Sequence, residues 1–240
     1  MLQEPNSKRT RKGELAQQRL LESALRLFAA KGYEGTTMRD VAAEAGYSPG
    51  LTYRYFRSKE ELVMALYENL ARDLDCYARD FPSGPLAERF YTVLTKQLEL
   101  MEIHRETLGA LFGTALNQRS SVSVFGKGTE AIRRQARGTY LALIKGARDA
   151  PRASLQEDLA TILYGTHLAV VLFWLIDEST ESRRTRQLLT FLRDLLKLIQ
   201  PLLWLPVVSQ LLARFARIVG PLLGADEDQG AIQDKDEAKS

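Results

Sequence analysis

Cysteine is almost missing from this 240-residue chain, which has one, Cys76. That excludes an internal disulfide and suits a reducing compartment. Histidine is nearly as scarce. His104 and His167 stand apart from any Cys, Asp or second His at metal-ligand spacing, so no metal and no cofactor is expected. No run of alternating β-branched or aromatic residues is bounded by hairpin turns, which leaves little room for strands. The longest apolar stretch, Ile162 to Ile176, is interrupted by Gly165, Thr166 and His167. It falls short of the roughly 20 residues that a membrane span requires and reads as a buried helix. The opening MLQEPNSKRTRKGE has no apolar segment after its basic residues, so it is not a signal peptide. The chain reads as soluble and cytoplasmic. A Gly-rich phosphate loop, a nucleophile elbow, an HExxH motif and a convincing acid–base pair are all missing, and no enzyme is expected.

What is present is helical and unevenly charged. Apolar residues make up 45% and charged residues 26%, ordinary values for a globular protein. Residues 1–59 hold 11 Lys/Arg against 6 Asp/Glu, whereas residues 225–240 hold 2 against 6. A basic head on a near-neutral body suits a polyanionic partner for the head alone.

Apolar spacing predicts a first helix over Glu14–Lys31, with Leu20, Ala24, Leu27 and Phe28 on one face and Gly32 as a left-handed stop. Thr37 with Asp40 three residues on is a capping box for a short second helix, whose inner face is Met38, Val41, Ala42 and Ala45. Ser48 followed by Pro49 opens a third, to about Phe56. Ser58 and Glu61 form another capping box and open a long helix to about Arg79. Further helices are expected near Leu86–Glu102, Arg105–Asn117, Thr129–Arg148, Ser154–Asp177, Arg183–Leu203 and Val207–Leu222, with Pro201 able to end the fifth of these early.

Two short helices joined by a Gly-containing turn, the second starting at Ser-Pro, describe a helix-turn-helix. In that geometry the second helix enters the major groove of DNA, and its first residues reach base edges. Here those are Ser48, Pro49, Gly50, Leu51 and Thr52, small or apolar, and Tyr47 just before them is counted with the DNA-binding residues. Methyl contacts and groove shape would then weigh more than hydrogen bonds. Tyr53, Tyr55 and Lys59 follow and can donate to phosphate oxygens, which fixes register without reading sequence. Thr36 and Thr37 place hydroxyls and amides at a helix N-terminus, another phosphate site. Lys8, Arg9, Arg11 and Lys12 can add phosphate or minor-groove contacts.

The run Tyr53-Arg54-Tyr55-Phe56-Arg57-Ser58-Lys59-Glu60-Glu61-Leu62 resembles the end of the TetR-family DNA-binding domain. Phe28 to Thr37 and Asp40-Val41-Ala42 match that family in order and spacing, so the resemblance covers about residues 15–66. It implies phosphate contacts at Thr37, Tyr53, Tyr55 and Lys59 and a base-reading turn at Ser48–Thr52. Many members have Lys-Gly-Thr-Leu where this chain has Pro49-Gly50-Leu51-Thr52, so no operator sequence carries over.

The expected architecture is all-α: a three-helix helix-turn-helix DNA-binding domain, then a helical ligand-binding and dimerisation domain. The boundaries are a flexible basic arm over 1–13, the DNA-binding domain over 14–58, the helical domain over 59–224 and a disordered acidic tail over 225–240. On a helical wheel of Arg183–Leu203, apolar side chains including Leu188, Leu192, Leu195 and Ile199 fill about half the circumference, more than one domain core needs. A two-fold homodimer accounts for the excess, with Phe173 and Trp174 of the preceding helix completing the interface. Tyr91, His104, Phe112, Tyr140, Tyr164 and His167 are candidates for lining a cavity that takes an amphipathic or lipophilic effector. The resulting reading is a ligand-responsive regulator, a repressor that binds palindromic double-stranded DNA. The competing reading is a helical lipid carrier of the same body plan without DNA binding.

Overall fold

The computed structural model describes residues 7–79, 81–117 and 119–225. Among them every regular element is helical, apart from one isolated bridge between Gly84 and Ala147. The α-helices are α1 (Ser7–Lys31), α2 (Met38–Ala45), α3 (Pro49–Tyr55), α4 (Lys59–Arg79), α5 (Leu86–Glu102), α6 (Arg105–Leu116), α7 (Glu130–Lys145), α8 (Ala153–Leu175), α9 (Arg183–Ile199) and α10 (Pro206–Val219). The ends of α9 and α1 depart most from expectation. α9 stops at Ile199 because Pro201 has no N–H to continue the ladder, and residues 200–204 tighten into a 3-10 turn. α1 begins at Ser7, inside the stretch expected as a flexible arm. Expectations placed on residues 1–6 and on the tail over 226–240 lie outside the described residues.

The chain divides into two compact units, and the division is not the one read from the sequence. The first contains residues up to Asn69 together with Ile103–Gly126. α6 therefore returns to α1: Leu108 and Leu111 are buried, and the Thr107 hydroxyl donates to the Leu25 carbonyl at 3.0 Å. Leu20, Ala24 and Phe28 of α1, Val41 and Ala42 of α2, and Leu62 of α4 fill the core of this unit, each fully buried.

The second unit contains Leu70–Glu102 and the chain from Lys127 onward. α8 packs along α7 and α10, and α9 lies against α5. One buried cation, Arg89, ties this unit together by donating to the carbonyls of Leu143, Phe81 and Pro82. Gly146 is needed beside it, because a Cβ there would stand 2.7 Å from the guanidinium. Asp177 joins α8 to α9, accepting from the backbone and hydroxyl of both Ser179 and Thr185.

Candidate nucleic-acid interface

The N-terminal end of each of the two short helices in the first unit is capped by a side chain of the expected type. Thr37 accepts from the Asp40 amide at 3.2 Å, while the Asp40 carboxylate takes the Thr37 amide at 2.9 Å and its hydroxyl at 2.8 Å. These bonds hold the Asp40 carboxyl below its usual range, the amide contributing most. Gly46 adopts φ +73° and turns the chain out of α2. Ser48 then caps α3 by accepting from the Leu51 amide, with Pro49 at the first helical position. Ser58 caps α4 through the Glu61 amide, but the Glu61 carboxylate takes the Arg57 amide rather than that of Ser58.

The outward face of α3 is narrower than the sequence implies. Ser48, Pro49, Gly50, Tyr53 and Arg54 are exposed, Tyr47, Leu51 and Tyr55 are half-buried, and Thr52 is buried. The Thr52 hydroxyl donates to the Ser48 carbonyl at 3.2 Å, so this side chain serves the helix and has none to offer a base edge. Thr36 is likewise buried: its hydroxyl donates to the carbonyls of Gly32 and Leu27 and closes the end of α1. Both threonines leave the set of contact side chains for that reason. Lys59 donates to the Tyr33 carbonyl at 2.6 Å and lies 4.4 Å from the centre of the Tyr33 ring. Two of its three N–H donors remain for a phosphate. The Tyr55 side chain reaches α1, where a Cβ on Gly13 would stand 3.5 Å from the hydroxyl.

Arg54 is the residue that sequence reasoning passed over. It lies four positions after Gly50, and Tyr53 three, so both flank Gly50 on the exposed side of α3. Its five donors answer the shortage of hydrogen-bonding groups in the turn. The signal was available in the helical spacing from Gly50. Gly50 itself has open space where a Cβ would project, and a helical backbone. Nothing inside the fold requires glycine there. A glycine costs a helix interior roughly 0.5–1 kcal/mol relative to alanine, and at Gly50 no contact within the fold offsets that cost.

The six residues expected to line an effector site divide in two. Tyr140, Tyr164 and His167 come together in the second unit, joined by Phe90. Tyr140 lies 6.0 Å from Phe90, 6.1 Å from Tyr164 and 5.7 Å from His167, and Tyr164 stacks on His167. The Tyr140 hydroxyl and His167 Nδ1 are buried without a hydrogen-bond partner. Burial holds the imidazole down at about 4 and pushes the Tyr140 phenol well above its usual range. Tyr91 is turned toward α9, where the Arg193 guanidinium lies 5.2 Å from its ring. His104 and Phe112 belong to the first unit and drop out of the cluster.

Of the residues expected at a dimer interface, Trp174 is 1% exposed and belongs to the core of its own unit. Phe173, Leu188, Leu192, Leu195 and Ile199 are half-buried.

A three-helix head with an exposed, capped second helix after a glycine turn defines a helix-turn-helix protein, here continued by an all-helical second unit. Comparison with known proteins makes the class specific. The family described as "Bacterial regulatory proteins, tetR family" matches residues 20–66, and "Tetracyclin repressor-like, C-terminal domain" matches residues 89–205. The chain belongs to the TetR family of transcriptional regulators.

Among curated relatives, the HTH-type transcriptional regulator YhgD of Bacillus subtilis is 33% identical over 91 residues, covering 37% of this chain and 48% of that protein. The HTH-type transcriptional regulator BetI of Brucella canis is 29% identical over 98 residues, 40% of this chain and 50% of that one. The chain thus spans about half the length of these relatives. A TetR transcriptional regulator from Nitrosomonas europaea shares the fold with a TM-score of 0.57 at 20% identity, over 75% of this chain and 96% of that one. A tetR-family regulator from Streptomyces coelicolor does so at 0.56 and 21%, over 93% and 100%.

Proposed function

We propose that this regulator is a ligand-responsive repressor that binds a two-fold symmetric operator as a homodimer. The observation that carries the reading is the outward face of α3, with Gly50, Tyr53 and Arg54 side by side and a glycine that the fold itself does not need. Pro49 and Gly50 allow the helix to sit close to the groove floor, Arg54 supplies base or phosphate donors, and Tyr53 and Lys59 bind phosphates. Thr37 and the first amides of α2 add a further phosphate site.

The effector site in this reading is the cluster of Phe90, Tyr140, Tyr164 and His167. A buried polar atom with no partner costs about 1–3 kcal/mol, so two together favour a molecule that supplies the missing hydrogen bonds. Its chemistry follows from the lining: an uncharged apolar or aromatic body with one or two polar groups. Binding would favour a dimer whose two α3 helices no longer match half-sites one helical turn apart.

Replacing Tyr53 and Arg54 together with alanine tests the reading of α3. Affinity for operator DNA in a mobility-shift titration should fall by about 10- to 100-fold, with the thermal midpoint unchanged because both side chains are exposed. Undiminished affinity in a folded variant would place the DNA contacts elsewhere.

A further inference from the structure

The chain continues beyond the part that its family describes. The match to the C-terminal domain ends at Leu205, and α10 begins at the next residue. One side of α10 and the 3-10 turn after it are seated within the second unit: Ala216 of α10 and Gly220 and Leu223 of the turn are buried, and Leu223 presses so closely on Gly165 of α8 that a Cβ there would stand 3.0 Å away. The other side is uncovered. Val207, Leu211, Phe215, Ile218 and Leu222 recur at steps of three and four residues and are 50 to 75% exposed. They extend a series that starts on α9 with Phe191 and Leu198. Ten of the fifteen exposed large apolar side chains among the described residues fall between Phe191 and Leu222.

We propose that this face of α10 binds a second copy of the chain, adding a third helix per protomer to the α8–α9 seam of the dimer. The inference rests on the homodimer reading given above. Surface area favours it. Ten large side chains at 44 to 75% exposure leave on the order of 1,000 Å² uncovered, against about 800 Å² per partner in a stable interface. The exposed series also carries on between the two helices: Leu202, Trp204 and the extended Leu205, which separates the 3-10 turn at 200–204 from α10, are exposed as well.

A membrane surface is the other apolar partner to weigh, since the stretch Pro206–Leu223 is long and apolar enough to cross a bilayer by composition. Charge argues against it. α10 carries only Arg214 and Arg217, and Arg217 lies in the field of Asp158 on α8. Segments that hold anionic lipid have about four or more cations.

The test compares the full-length chain with two double variants by sedimentation equilibrium, after circular dichroism and thermal melting confirm folding. Leu195→Glu with Ile199→Glu on α9 probes the homodimer itself. Leu211→Glu with Ile218→Glu on α10 probes the added seam and should weaken self-association by about 100-fold or more, while the milder Leu211→Ser with Ile218→Ser should weaken it by about tenfold. Dimers that weaken with the α9 pair but not with either α10 pair would overturn the added seam and leave the homodimer standing. A wild-type chain that is monomeric at all concentrations would overturn both. Flotation of wild type, but not of the α10 variants, with phosphatidylserine-containing vesicles and no change in self-association would assign the face to lipid.

Discussion

His167 is neutral and buried among Tyr140, Tyr164 and Phe90, and its acid strength records that burial. Its pKa of about 4 in the folded chain lies below the ordinary 6.5, so between these values the unfolded chain holds a proton that the folded chain does not. The stability linked to this residue is therefore complete above pH 6.5 and is lost as the pH falls toward 4, by on the order of 3 kcal/mol. His167→Phe should flatten the thermal midpoint between pH 6.5 and 4 relative to wild type; equal slopes would place the acid sensitivity in other groups. Gly50 makes the opposite kind of statement, since the fold has room for a side chain and no use for glycine. Gly50→Ala should raise stability by about 0.5–1 kcal/mol in chemical denaturation and lower operator affinity by about tenfold. A variant that gains stability and binds DNA as wild type does would mean that α3 does not approach DNA at this turn.

At the scale of elements, caps decide where the reading helix stands. The Thr37–Asp40 box opens α2 and the Ser48 cap opens α3, with Gly46 supplying the left-handed step that ends α2 and turns the chain toward α3. Thr37→Ala removes one of these and should cost about 1 kcal/mol in urea denaturation; no loss would mean that Asp40 alone secures the end of α2. These elements were legible beforehand because their determinants are local: a hydroxyl, a carboxylate three residues on, a proline at the first helical position. The start of α5 at Leu86 and of α9 at Arg183 were legible on the same footing. Burial within a helix was less so. Thr36 and Thr52 look like contact residues in a motif, yet each hydroxyl has a carbonyl four residues earlier within reach, and the inward rotamer takes both out of play. Trp174 and Leu188 lie on apolar helices that read alike, and only packing tells the core tryptophan from the half-buried leucine.

The whole molecule is where sequence order and spatial order part. The long helix α4 was expected to open the second domain at residue 59, whereas its first half belongs with the DNA-binding helices and α6 returns to join them. That return depends on contacts such as Thr107 with Leu25, 82 residues apart in the chain, which no local pattern reveals. The same distance scattered the expected effector residues: Tyr140, Tyr164 and His167 meet, whereas His104 and Phe112 lie with the first unit. The basic balance of residues 1–59 is a property at this scale, and it predicts an interaction with DNA dominated by phosphate charge. Fluorescence anisotropy with DNA from upstream of the protein's own coding sequence, across a salt series, tests this most directly. The account predicts submicromolar binding that exceeds binding to random DNA and weakens steeply and log-linearly with salt, by about a thousandfold or more between 50 and 200 mM. Binding no tighter than to random DNA at every flanking promoter, or a flat response to salt, would contradict it and favour a helical carrier that has lost DNA binding.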